Sequence, residues 1–172
     1  MKNLEKLWGH ENDIIGPLKL DLENLQLKVA FSILDKAKQG KWREELTFDE
    51  YKKVSLRLVK ISEKTKLTDE ECRFVSEFSR YIDKWWEVIK LKVKSLTDNQ
   101  IWELSKIFAL DISNLTNITD KQAKELWKVS ILALDWLRSI TDQQAKYLKN
   151  VDKLYINQKI LTPKQREILK MN

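Results

Sequence analysis

From residue 47 onward, apolar residues recur in two alternating rhythms. The first is helical. Four and seven residues past a Thr stand Tyr51 and Val54, Cys72 and Val75, Ile101 and Leu104, Ala123 and Leu126, Ala145 and Leu148. A further position at Thr+10 holds Phe78, Ile107, Val129 and Val151, with Lys, Glu and Gln between these faces. That spacing predicts an amphipathic helix of about three turns opening each unit. In the last unit the pair is Arg166 and Leu169, so the pattern frays there. The second rhythm is V-x-x-L-x-L-x-x-L, spelled by Val129, Leu132, Leu134 and Leu137 and repeated by Ile107, Leu110, Ile112 and Leu115. Its first three positions recur as Leu56, Val59 and Ile61, as Trp86, Ile89 and Leu91, and as Val151, Leu154 and Ile156. The central L-x-L has period two and predicts a short strand with one buried face.

The Thr residues that set the phase are Thr47, Thr68, Thr97, Thr119, Thr141 and Thr162. Each follows Leu or Ile and opens T-x-x-E/Q, at intervals of 21, 29, 22, 22 and 21 residues. This is the capping-box pattern: the Thr hydroxyl accepts from the amide three residues on, and the Glu or Gln there reaches back to the Thr amide. Pro163 occupies the first helical position after Thr162, where a missing N–H costs nothing. One such box is weak evidence; six in phase indicate repeated units.

The runs ITDKQAKEL, ITDQQAKYL, ALDISNLTNIT and LALDWLRSIT resemble the leucine-rich-repeat family, with its L-x-x-L-x-L-x-x-N/C-x-L pattern. They are most similar to the bacterial variety reading LTDEQAxAL. The likeness covers roughly residues 47–172 and is most specific from 97 to 150. It implies an α/β solenoid of strand–helix units. The position that family fills with Asn or Cys holds Lys64, Lys94, Leu115, Leu137 and Lys159, so no asparagine ladder is expected and the usual horseshoe curvature is not implied. An all-α helical array is the alternative, since VSILALDWLRSI also fits one helical face. Against it stand Asp111, Ser113, Asn114, Thr116 and Asn117, which are poor helix material. No Gly follows Gly40 to end long helices either.

Residues 1–46 hold all three glycines, and Leu18, Leu20 and Leu22 alternate in PLKLDLENL before a helical QLKVAFSILDKAK. A stack of repeats exposes an apolar end, so this segment reads as an N-terminal cap, with a separate interaction segment as the other possibility. At 172 residues, 42% hydrophobic and 34% charged, the chain is long and apolar enough for a core and is not a disordered polymer. The net charge of +6 resides in residues 47–172, since 1–46 carry eight basic and eight acidic residues. Most basic residues are Lys, whereas Arg is the better residue for bidentate phosphate contacts; a solvated surface is the first reading of this charge.

No P-loop, G-x-S-x-G, G-x-G-x-x-G or H-E-x-x-H motif occurs, and the repeats lack the glycine that a phosphate cradle requires. Asp69, Asp98, Asp120 and Asp142 each follow a cap Thr and suit the helix dipole. The single Cys72 occupies the buried Thr+4 slot, and the single His10 offers no recognisable metal spacing. No enzyme, cofactor, metal, small-molecule substrate or membrane span is therefore expected. Missing signals and scarce cysteine point to the cytoplasm.

If the strands lie parallel, their outward residues line one surface: Lys60 and Ser62, Lys90 and Lys92, Asp111 and Ser113, Ala133 and Asp135, Tyr155 and Asn157. Most of the seven tryptophans read as core filling, but Trp136 falls in a loop after a strand, where an exposed aromatic suits an interface. The expected function is a non-catalytic protein-interaction module or subunit of a larger complex. Its partner is another protein, bound through Lys60, Lys90, Lys92, Asp111, Asp135, Trp136 and Tyr155. The alternative is a nucleic-acid accessory protein using Lys90, Lys92 and Lys94, which strand alternation places on one side.

Overall fold

The computed structural model of the chain describes residues 48–79 and 88–171, with 32, 33 and 35 besides; for 48–53 it describes the backbone alone. The expected cap over 1–46 lies outside the described residues, except for exposed Ser32 and Asp35 and the buried Ile33. Trp85 and Trp86 also lie outside them. Among the described residues from Phe48 on, six α-helices and four strands follow in the order α1 (Phe48–Ser62), α2 (Asp69–Ser79), β1 (Ile89–Lys90), α3 (Asp98–Leu104), β2 (Ala109–Asp111), α4 (Asp120–Leu126), β3 (Ile131–Ala133), α5 (Asp142–Leu148), β4 (Lys153–Tyr155) and α6 (Pro163–Leu169). A 3₁₀ turn at Gln158–Ile160 precedes α6. The fold is mixed α/β, so the all-α array is excluded. The strands form one parallel sheet in the sequential order β1-β2-β3-β4, open at its ends. The helices α2 to α6 pack neighbour on neighbour in the same order.

Parallel register sets the buried leucines in a row. Ile89 lies beside Leu110, Leu110 beside Leu132, and Leu132 beside Leu154. Leu110 and Leu132 are wholly buried, and they meet the helical row of Cys72, Ile101, Leu104, Ala123, Leu126, Ala145 and Leu148 in one core. The strands are extended by single bonds past their ends: Leu91 N–H donates to Asp111 at 2.8 Å, Ile112 to Ala133 at 3.1 Å and Leu134 to Tyr155 at 2.8 Å.

Helices α3, α4 and α5 run two turns, not the three predicted. Their residues at Thr+10 instead close 3₁₀ bonds: Ile107 donates to Leu104, Val129 to Leu126 and Val151 to Leu148, each at 3.1 Å. Such i→i+3 bonds end a helix without glycine, which is absent after Gly40. The buried face continues through the turn, because all three residues remain buried. A second correction concerns the first unit. Leu56, Val59 and Ile61 are not a strand but part of α1, where Val54, Leu58 and Ile61 lie on one helical face. Nothing in KKVSLRLVKIS resembles the Asn- and Asp-rich breakers of later units, so the helix runs on through the L-x-L pattern.

Reciprocal capping bonds form at Thr97, Thr119, Thr141 and Thr162. They also form between Thr68 and Glu71, at 3.2 and 3.0 Å. The Thr47 box lies outside the described residues. Each Gln makes a further bond. Its Oε1 accepts from its own cap Thr, while its Nε2 donates to the carbonyl preceding the cap Thr of the previous unit: Gln100 to Leu67 at 2.8 Å, Gln122 to Leu96 at 2.9 Å, Gln144 to Ile118 at 2.9 Å and Gln165 to Ile140 at 2.7 Å. These four amides are buried, and the series is a glutamine ladder along the stack. Glu71 begins the series but has no donor to offer. Its buried carboxylate instead accepts from Lys64 and lies 3.6 Å from Arg57. Burial pushes its pKa up, but Lys64, the Thr68 amide and Arg57 together bring it below the ordinary Glu value.

Two stability measurements follow. Gln122→Glu keeps the cap acceptor but sets a carboxylate against the Leu96 carbonyl, and should cost about 1–3 kcal/mol at neutral pH. Chemical denaturation should show that gap narrowing toward pH ~4, as the carboxyl gains the proton it needs to donate. Glu71 has a depressed folded pKa, so its stabilisation is complete above the unfolded value near ~4.3 and is lost as pH falls through the folded one. The stability difference between wild type and Glu71→Gln, about 2 kcal/mol at neutral pH, should therefore shrink on acidification.

Candidate functional site

The outward sheet face is built by strand alternation. Beside the buried leucines, one outward row sets Lys90 next to Asp111, Asp111 next to Ala133 and Ala133 next to Tyr155. Asp111 is pinned from two sides. Ser113 N–H donates to its Oδ1 at 2.9 Å, closing an Asx-type turn at the strand end. Lys90 Nζ lies 3.4 Å from its Oδ2. Ser113 Oγ in turn donates to Asp135 Oδ2 at 3.2 Å in the next unit. Burial acts to raise the Asp111 pKa, but the Ser113 bonds and the Lys90 charge outweigh it and hold the carboxyl below its ordinary value.

Six of the seven predicted residues meet on or beside this face. Lys90, Lys92, Asp135, Trp136 and Tyr155 are exposed and Asp111 is half-buried. Lys60 does not join them as a strand residue. It sits in the last turn of α1, half-buried, and only the end of that helix aligns with the sheet, where the Ser62 carbonyl accepts from Lys92 N–H at 2.9 Å. The alternating exposure of Lys90, Lys92 and Lys94 against buried Ile89, Leu91 and Val93 places the three lysines on one side. Two of them face carboxylates, Lys90 with Asp111 and Lys92 with Glu63 at 2.6 Å.

Trp136 is 65% exposed, although its backbone N–H is fastened to the Ser113 carbonyl at 3.1 Å. A fixed backbone carrying a solvated indole loses little entropy when a partner covers it. The expectation that tryptophans mainly fill the core fails for the described ones. Trp102 and Trp127 are also exposed, and Trp102 lies under the Lys106 ammonium, 3.5 Å from its ring centroid. The buried repeat positions are filled mainly by Leu, Ile and Val, with Phe74 and Phe78 as the buried aromatics of α2.

Sequence reasoning missed a second outward row, in which Ala109 lies beside Ile131 and Ile131 beside Lys153. Val88, 41% exposed, precedes Ile89 at the same level. Counting period two backward from the L-x-L as well as forward finds this apolar row. Cys72 is free and wholly buried. Burial first, then the carboxylates of Asp69, Glu71 and Glu103, push its thiol up to about 12, so it is a core residue at neutral pH. Among the described residues, no group of three or more His, Cys, Asp or Glu is placed to hold a metal ion. No helix among them is long and apolar enough to cross a membrane.

The chain matches no protein-family model, no curated protein and no solved structure. The geometry of the face itself carries the functional argument. Trp136→Ala should leave thermal stability within about 0.5 kcal/mol of wild type. Differential scanning calorimetry checks this, and a larger loss would show that the indole serves packing.

Proposed function

We propose that the chain is a short leucine-rich-repeat-like solenoid acting as a non-catalytic protein-interaction module, or as a subunit of a larger complex, through its outward sheet face. The observation that carries this reading is the face itself: an apolar strip of exposed Val88 and half-buried Ile131 and Ala133, continued by the buried Ala109, and bounded by charges of both signs and by exposed Trp136 and Tyr155. Apolar centre, mixed polar rim and exposed aromatics are the composition of protein interfaces. Stacked repeats present extended surfaces of this kind.

Nucleic acid is the lesser reading. The common side of Lys90, Lys92 and Lys94 favours it, but Asp111 and Glu63 offset two of those charges locally. A phosphate backbone calls for unbroken positive potential.

A tagged chain and its Lys90→Glu, Lys92→Glu, Asp135→Lys, Trp136→Ala variant should be compared in pull-downs from native lysate, split into nuclease-treated and untreated halves. A protein retained after nuclease by the wild type and lost by the variant is the expected result. Capture that vanishes with nuclease, together with steep salt dependence, would transfer the role to the lysine run.

A further inference from the structure

The two ends of the stack are finished differently. At the first described rung the ladder is closed by the Glu71 carboxylate with Lys64 and Arg57. At the other end it is open. The carbonyls of Leu67, Leu96, Ile118 and Ile140, each just before a cap Thr, accept from a Gln of the following unit. Leu161 holds the same place before Thr162, yet no such bond reaches its carbonyl among the described residues.

The sheet stops there too. Among the described residues, strand β4 pairs with β3 alone. Lys153 N–H donates to Ser130 at 2.9 Å and the Tyr155 carbonyl accepts from Leu134, so both residues turn their backbone groups toward β3. Alternation then directs the N–H and C=O of Leu154 to the free edge. Beside this edge lies a cleft of about 340 Å³, with Leu148, Val151, Leu154, Leu169 and Met171 among its walls. Three basic residues, Lys149, Lys153 and Lys170, line the same cleft with one acidic residue, Asp152.

We propose that this end of the stack is a second binding site, taking an extended acidic segment of a partner protein as a fifth strand on β4. Main-chain bonds to Leu154 supply the register and the cleft takes alternate apolar side chains, as in strand addition generally. The excess of lysine selects acidic flanks. The same charges argue against a second copy as occupant. Edge-to-edge pairing would bring the three lysines toward their own images. The cleft adjoins the outward face, sharing Lys153 and Tyr155 with it, but the proposal rests on the free edge and the cleft and not on that face's proposed role.

The test uses the full chain and a short fluorescein-labelled peptide alternating Val with Glu, beside its Val–Lys counterpart, read by fluorescence anisotropy. The expected result is at least about tenfold tighter binding of the Glu peptide, with slowed hydrogen exchange at the Leu154 amide by NMR. The Lys149→Glu, Lys153→Glu, Lys170→Glu variant, altered only at exposed side chains, should reverse the preference. The outward-face variant should bind the Glu peptide as wild type does. Equal or absent binding of the two peptides by wild type would overturn the proposal, as would an unchanged Leu154 exchange rate in the complex. Protection of Leu154 without peptide, accompanied by a dimer in sedimentation, would overturn it in favour of a second copy.

Discussion

The buried glutamine amide at the third helical position is the constraint on which the stack depends. It satisfies a donor in its own unit and an acceptor in the unit before it, so it fixes the start of a helix and its distance from the neighbouring helix together. A two-turn helix is too short to persist alone, and here it is held by its cap, its apolar face and this bond. Asp98 with Lys121 at 3.0 Å, and Asp142 with Lys164 at 2.6 Å, tie the same first turns from outside. Those pairs are exposed and count for little; the amides are buried, where an unmade bond is costly.

Much of this was legible in the residues. T-x-x-Q located the helix starts, and the period-two L-x-L located β2, β3 and β4 with their inward leucines. Its extension to Leu56, Val59 and Ile61 failed, because apolar spacing cannot by itself stop a helix that meets no breaker. The second bond of each Gln was not legible. Oε1 binds three residues away, but Nε2 reaches 25 to 33 residues back, a contact set by stacking. The exposure of Trp102 and Trp127 was not legible for a related reason: composition counts aromatics without saying on which side of a repeat they fall.

The candidate face was more legible than its details. Alternation placed Lys90, Asp111, Tyr155 and their neighbours outward, and register brought them side by side. The Asp111–Ser113–Asp135 connection needed the strands to be aligned across 22 residues, and the apolar row through Ile131 needed the register of both its neighbours. The sheet's buried side is uniform aliphatic packing and its outward side is heterogeneous, so variation between units is free to occur only where packing does not forbid it.

The ladder also gives the stack a mechanical polarity. Every rung runs from a side chain of one unit to the backbone of its predecessor, so peeling away α6 breaks one rung, whereas removing α4 breaks two. A force applied at the C-terminal end therefore loads the rungs one after another, and the molecule yields as a zipper from that end. The charged closure at Glu71 serves as the stop.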